Sequence, residues 1–209
     1  MLTYIPLPRI FTPVTLVLTL LTLCLTFPGQ AAAHPHVFVE TEIKIELNDK
    51  GLKGLWQEWT YDEFQSSWII DLYNVEEQGQ LSEAELNRLY RETFANLKNH
   101  DFFTRIILDE EKIPATEIDN FQVDVKDGLV TYSFFVPFEL EIDRNQQELF
   151  ILVYDENFFC RVFFPPEEIS FTGNTSAWEI EHTTQKKPDL TYYFGMVTPK
   201  AIRLTLTTQ

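Results

Sequence analysis

Hydrophobic and polar residues alternate along the chain from His36 to Leu47. One face holds Val37, Val39, Ile43, Ile45 and Leu47, and the other holds His36, Glu40, Glu42, Lys44 and Glu46. A period of two over this length is typical of an antiparallel strand with one buried face. Turn residues follow at Asn48 to Gly51, so residues 52–60 are predicted to return as the second strand of a hairpin.

The spacing of apolar residues becomes helical after this hairpin. Residues 61–73 place Phe64, Trp68, Ile69 and Leu72 at helical intervals, with Thr60 and Asp62 available as caps. Ser82 and Glu85 form a capping-box pattern that opens a second helix. Its apolar stripe comprises Leu86, Leu89, Tyr90, Phe94 and Leu97. The pair is predicted to form a helical hairpin over about residues 61–98, inserted between strands.

Strand patterns resume after the second helix. The predicted strands cover residues 102–108, 121–125, 129–138, 149–154, 158–164, 169–171, 178–182 and 201–207, with turns at 109–112 and 127–128. The pattern predicts an α+β fold, in which an antiparallel β-sandwich-like domain contains the helical hairpin.

The loop between the two predicted helices has the layout of an EF-hand calcium loop. Oxygen-bearing side chains occupy its first, third and fifth places, glycine the sixth and glutamate the twelfth. The candidate positions are Asn74, Glu76, Gln78, Gln80 and Glu85. Because the first three of these supply a single carboxylate, the hairpin is predicted to be EF-hand-like in shape with weak or lost calcium binding.

The amino-terminal residues have the pattern of a secretory signal peptide. An apolar run from Val14 to Phe27 follows Arg9, and small residues stand at Ala31 and Ala33. This run is shorter than the roughly 20 residues needed to span a bilayer. We expect residues 1–33 to be removed after Ala33 and residues 34–209 to form one periplasmic domain; an uncut anchor is the alternative.

Charge and cysteine content narrow the possible functions. The chain has 16 Lys and Arg against 32 Asp and Glu, a formal net charge of −16. Such a surface argues against binding to nucleic acid or to anionic membranes, since both would repel it. Beyond the predicted signal peptide Cys160 is the one cysteine, which excludes an internal disulfide there, and its apolar surroundings predict a buried strand position.

Two of the four histidines, His34 and His36, stand directly after the predicted cleavage site. Cleavage would leave His34 with a free amine and an imidazole, which can chelate one nickel, cobalt, zinc or copper ion. His36 would supply a third nitrogen, and His182 is a more speculative ligand from a distant strand. Pro35 has no amide N–H and therefore excludes a copper site built from successive backbone nitrogens. A frayed terminus without metal is the alternative.

Four segments together resemble an exported family described as the periplasmic component of an uncharacterised ABC-type transport system. They are Ala33-His34-Pro35-His36-Val37-Phe38-Val39, Trp59-Thr60-Tyr61-Asp62-Glu63-Phe64, Gly79-Gln80-Leu81-Ser82-Glu83-Ala84-Glu85 and Val153-Tyr154-Asp155. Genes of that family often adjoin nickel, cobalt or zinc permeases, so the resemblance implies a metal-handling accessory role. Family members commonly have an aspartate-rich loop where this chain has Asn74 to Gln78, and this departure weakens any inherited calcium role.

The first hypothesis is therefore a periplasmic, non-enzymatic metal-binding protein that serves a membrane metal permease or ABC-type transporter component. A structural or protein-interaction module without a terminal metal site is the alternative, and exposed aromatic residues would favour it. An oxidative copper enzyme would require a second histidine held against His34. No nucleophile arrangement for hydrolysis is evident in the sequence.

Overall fold

The computed structural model describes residues 16–20, 22, 35–75, 81–142 and 148–208. The chain divides into two compact units, Met1–Ala33 and His34–Gln209. In the first unit, residues 16–20 and 22 are helical. No helix within the described ranges is both long and apolar enough to cross a membrane.

The second unit is rich in β-strands. The strands are β1 Val37–Asn48, β2 Gly51–Tyr61, β3 Thr104–Leu108, β4 Glu111–Pro114, β5 Asp119–Lys126, β6 Leu129–Glu141, β7 Leu149–Val153, β8 Cys160–Phe163, β9 Ile169–Gly173, β10 Trp178–Lys186 and β11 Lys200–Thr208. Two α-helices, α1 Glu63–Tyr73 and α2 Glu83–Leu89, lie between β2 and β3. Short 3-10 turns cover Pro166–Glu168, Thr175–Ala177 and Pro188–Leu190.

The strands form two sheets. One has the order β5-β6-β2-β1-β8, with β9 also pairing with β1, and the other has the order β10-β11-β7-β3-β4. The predicted alternation of β1 is confirmed, since its apolar face is buried and most of its polar face is exposed. This face shares one hydrophobic core with residues of the second sheet, including Ile106, Ile151 and Leu204. The prediction of a β-rich α+β fold is thus confirmed, with the strands arranged in two sheets.

The purely antiparallel prediction requires a correction. Strand β1 pairs antiparallel with β2, but it pairs parallel with β8 through Val37 and Cys160, and parallel with β9 through Ile45 and Phe171. Both faces of a strand alternate in the same way whichever direction its neighbour runs, so the residue pattern contains no information about this choice.

The helical segment begins as predicted and ends differently. Asp62 caps α1 by accepting a hydrogen bond from the Gln65 N–H, and Ser82 and Glu85 form the predicted capping box of α2. Helix α2 stops at Leu89, however, and the chain continues as a π-helical turn, Tyr90–Phe94, and a 3-10 segment, Ala95–Phe103. This segment breaks at Asp101 and Phe102, whose φ angles are 53° and 47°.

The π-helical turn and the 3-10 segment place aromatic side chains in the core. Phe94 is fully buried, and its ring lies 4.9 Å from the Phe134 ring and 5.6 Å from the Trp59 ring. The Trp59 indole N–H donates to the Gln57 side chain, which in turn donates to the Thr104 hydroxyl. These buried polar groups are therefore paired, as a stable core requires.

Smaller differences concern strand boundaries. Strand β3 starts at Thr104 rather than residue 102, because residues 102 and 103 complete the 3-10 segment. Only residues 109–110 form the turn predicted over residues 109–112, and β4 follows at once. Cys160 lies in a strand as predicted, half-buried at the start of β8.

Candidate functional site

The first described residues of the second unit are tied to two other elements. The N–H groups of His36 and Val37 both donate to the Phe159 carbonyl, at 2.9 and 3.2 Å. The Phe38 N–H donates to the Asp62 carboxylate at 2.8 Å, and the Asp62 N–H donates to the Phe38 carbonyl. The chain is therefore held from His36 onward by the loop before β8 and by the cap of α1.

The imidazole of His36 lies on the surface beside this anchoring point. Its side chain is exposed, and its ring centroid lies 5.1 Å from that of Phe159. His34, the other predicted terminal ligand, lies outside the described residues. The predicted His34–His36 chelate therefore stays a prediction.

The structure does not bring His182 to His36. His182 lies in β10 opposite Leu204, and its ring packs 5.1 Å from the Phe171 ring. Phe171 is paired with Ile45, which is nine residues along β1 from His36, roughly 30 Å at the rise of a strand. Within residues 35–75, 81–142 and 148–208, no group of three or more His, Cys, Asp or Glu side chains is placed to hold a metal ion.

Two positions of the predicted calcium-like loop can be located. Asn74 ends α1 in the left-handed conformation, with its N–H donating to the Ile70 carbonyl. The Glu85 carboxylate accepts hydrogen bonds from the N–H and the hydroxyl of Ser82, and these bonds lower the pKa of Glu85. The other positions, Glu76, Gln78 and Gln80, lie outside the described residues. Glu85 is thus placed as a helix cap, and the prediction about calcium stays open to test.

A cleft of about 640 Å³ lies next to the anchored start of β1. Its walls come from β1, β2, α1, the 3-10 segment, β6 and the loop before β8. The lining residues are Val37, Val39, Trp59, Tyr61, Phe64, Gln65, Trp68, Ile69, Thr93, Asn96, Leu97, His100, Phe103, Tyr132, Asp155, Asn157, Phe159 and Cys160. We call this the aromatic cleft, because seven of these residues are Phe, Tyr or Trp.

A buried carboxylate shapes one wall of the aromatic cleft. Asp155 is 3% exposed and accepts hydrogen bonds from the N–H groups of Asn157, Phe159 and Cys160, at 2.9, 2.9 and 3.0 Å. Three such bonds fix the loop that connects β7 to β8. Asp155 thereby positions both Phe159, on which His36 packs, and Cys160, which pairs with β1.

The thiol in this wall is held in its protonated form. Burial raises the pKa of Cys160 to about 12, and the carboxylates of Asp155 and Asp62 add to this effect. A thiol with such a pKa is a poor nucleophile at neutral pH. The half-buried strand position and the raised pKa support the prediction that Cys160 serves packing rather than chemistry.

Sequence reasoning did not identify the aromatic cleft. It placed Phe64, Trp68, Ile69 and Leu72 at helical spacing, but of these four the structure buries only Ile69. Phe64, Trp68 and Leu72 are 80%, 49% and 44% exposed. The sequence contained a signal for this cleft. Ile69 and Tyr73 form one narrow apolar face of α1, and Phe64 and Trp68 lie outside that face.

Comparison with known proteins covers the same part of the chain. The family described as "Protein of unknown function (DUF1007)" matches residues 19–194, a range that includes His34, His36, His182 and the whole aromatic cleft. The "Uncharacterized 15.5 kDa protein in trpE 3'region" of Spirochaeta aurantia is 29% identical over 127 residues, which cover 61% of this chain and 90% of that protein. Neither description names a ligand or a reaction.

Proposed function

The chain belongs to the DUF1007 family of proteins of unknown function, and we propose that it is an exported, non-catalytic accessory protein that binds a transition-metal ion. In this proposal a signal peptide is cleaved after Ala33, and the mature periplasmic protein begins at His34. The ion is cargo, received from or passed to a membrane metal permease or an ABC-type transporter component.

One structural observation supports this proposal more than any other. The described residues of the second unit begin at Pro35, directly after the predicted cleavage site and His34. The unit is anchored by hydrogen bonds from His36 onward, while the His36 imidazole remains on the surface. A short terminus next to this anchored residue can bind the ion through its nitrogen donors and can also release it.

The donor set favours borderline transition metals. The amine and Nδ1 of His34 would form one chelate, and His36 would add an imidazole nitrogen. Such nitrogen donors suit nickel, cobalt, zinc and copper, with copper(II) generally bound most tightly. The formal net charge of −16 raises the local concentration of cations around the protein.

Metal stoichiometry of the exported protein tests this proposal. We expect one equivalent of copper, nickel, cobalt or zinc in protein dialysed against each ion, measured by elemental analysis. His36→Ala should weaken binding at least about tenfold, because it removes one of three nitrogen donors. His34→Ala should abolish metal uptake, because it removes the imidazole that forms the chelate with the terminal amine.

His182→Ala is the matched control. His182 is also exposed, but it lies in β10 far from His36, so its removal should leave metal binding unchanged. Equal stoichiometry and affinity in the parent protein, the His36→Ala variant and the His34→Ala variant would overturn the proposal. Mass spectrometry of each variant checks that cleavage still follows Ala33.

A protein-interaction module is the second candidate, and the exposed stripe of α1 favours it. Phe64, Trp68 and Leu72 recur at intervals of four residues on one side of α1 and are all exposed. This candidate predicts no stoichiometric metal. It also predicts that Phe64→Glu abolishes association with a membrane partner in cells, whereas Phe194→Glu, at a residue 92% exposed, preserves it.

A further inference from the structure

The aromatic cleft has the dimensions of a small-molecule site. Its volume of about 640 Å³ lies within the range of roughly 300–1,000 Å³ that is typical of ligand cavities. Its deeper wall is formed by buried rings such as Trp59 and Tyr132, which are 1% and 0% exposed. The rings of Phe64, Trp68 and Phe159 are exposed and line the same cleft. The three exposed rings are the ones available to a bound molecule.

The charge of the aromatic cleft has one sign. Asp155 is the one carboxylate side chain among the described residues that line it. The described lining residues include His100 but no lysine or arginine. A ligand with a carboxylate or phosphate group would therefore meet the Asp155 charge without a lysine or arginine to offset it, whereas a cationic ligand would be attracted.

A polar group in the wall is also available to a ligand. The Tyr61 side chain lines the aromatic cleft, and its ring meets that of Tyr132 edge-on at 4.9 Å. The Tyr132 hydroxyl lies 3.2 Å from the Thr93 hydroxyl. Among the described residues, the Tyr61 hydroxyl has no hydrogen-bond partner. Burial raises the pKa of Tyr61 well above its usual value. A buried hydroxyl of this kind gains from a ligand group that bonds to it.

We propose that the aromatic cleft binds a small organic cation that has an apolar or aromatic portion. Electron-rich ring faces attract quaternary and protonated amines, and Trp and Tyr are the strongest of these. The Asp155 carboxylate sets the preferred charge, and the Tyr61 hydroxyl supplies a directional contact. This site is separate from the terminal metal ligands and does not depend on the metal-binding proposal.

Calorimetric titration with three probes of similar shape tests this assignment. The probes are phenethyltrimethylammonium, its uncharged analogue 4-phenyl-2-butanol and the anion 4-phenylbutyrate. The protein is the mature chain in the presence of a chelator, so that terminal metal binding makes no contribution. We expect the ammonium probe to bind at least about tenfold more tightly than the carboxylate probe, with the alcohol between them.

Variants on α1 locate the binding. Trp68→Ala should weaken the ammonium probe about three- to thirtyfold, the range of a cation–π contact. Leu72→Ala is the matched control, because Leu72 is exposed on the same helix one turn further along and does not line the aromatic cleft. Both side chains are exposed, so neither substitution should unfold the protein.

Several outcomes would overturn the proposal. They are equal binding of the ammonium and carboxylate probes, no binding of the ammonium probe at millimolar concentration, and equal losses for Trp68→Ala and Leu72→Ala. A protein that is dimeric by light scattering and binds the probe only after Leu72→Glu makes it monomeric would show instead that a second copy occupies the aromatic cleft. Failure of any of these tests leaves metal stoichiometry unaffected, so the two proposals fail independently.

Discussion

Two groups of aromatic side chains lie next to each other in the folded unit and are packed in opposite ways. The rings around Phe94 pack against one another in the core, and Phe94, Phe102 and Phe134 are all at most 1% exposed. The rings of Phe64, Trp68 and Phe159 instead border an open cleft. Trp59 belongs to both groups, since it contacts Phe94 and lines the aromatic cleft.

This difference separates aromatic residues that stabilise the fold from those that are available for binding. Burial of an aromatic side chain contributes to the free energy of unfolding, whereas a ring at 80% exposure contributes little. Exposed aromatic residues that border one cavity indicate an interaction site when they occur together. The comparison can be tested by substituting one member of each group.

The largest effect is expected for Phe94→Ala. This change removes a fully buried ring that contacts Trp59, Phe102, Phe121 and Phe134, and it leaves a cavity. The free energy of unfolding, measured by urea denaturation, should fall by about 3–5 kcal/mol. Phe194→Ala, at an exposed position, is the control. A loss below about 1 kcal/mol would show that the group around Phe94 is loosely packed.

An intermediate effect is expected for Cys160, which lies in the wall of the aromatic cleft. Burial raises the pKa of its thiol to about 12, while the unfolded chain ionises near about 8.5. Between these values the unfolded state loses a proton that the folded state retains, so the free energy of unfolding falls as the pH rises. Below about pH 8.5 the Cys160 thiol is protonated in both the folded and the unfolded state, and its contribution to the free energy of unfolding is fully present.

The comparison of the parent protein with Cys160→Ala isolates this thiol from the other titrating groups. The free energy of unfolding of the parent, minus that of Cys160→Ala, should decrease by up to about 1.4 kcal/mol per pH unit above about pH 9. Urea denaturation measures both values. If the difference between the two proteins is the same at about pH 8 and about pH 10, the thiol is as well hydrated in the folded state as in the unfolded state.

The smallest effect on stability is expected for Phe64→Ala. Its side chain is 80% exposed, and alanine has the higher helix propensity. The free energy of unfolding should change by less than about 0.5 kcal/mol, while binding in the aromatic cleft weakens. A loss of more than about 2 kcal/mol would mean that Phe64 packs against the fold in solution, and the contrast between the two groups would not hold.

Local features of the fold could be predicted from the sequence because their causes are local. The alternation of β1 gave its buried face, and the Asp62 and Ser82 caps gave the starts of α1 and α2. The parallel pairing of β8 and β9 could not be predicted, since it depends on the path of the intervening chain. The end of α2 at Leu89 also depends on tertiary packing, because the irregular segment that follows allows Phe94 and Phe102 to be buried.

The candidate sites differ in the same respect. His34 and His36 are neighbours in sequence, so the hypothesis of a terminal metal site follows from their spacing and the cleavage pattern alone. The aromatic cleft joins Val37, Trp68, Tyr132 and Cys160, which are distant in sequence and meet only through the sheet order and the placement of α1. His182 shows the converse, because it was a speculative ligand in the sequence but packs against Phe171, which pairs with Ile45 far along β1 from His36.

The most direct test of the metal-binding account is the intact mass of the exported protein under native conditions, before and after chelation. The account predicts a mass that begins at His34, with one copper, nickel, cobalt or zinc ion that the chelator removes. A different first residue, or a chain that begins at His34 and takes up none of these ions, would contradict it.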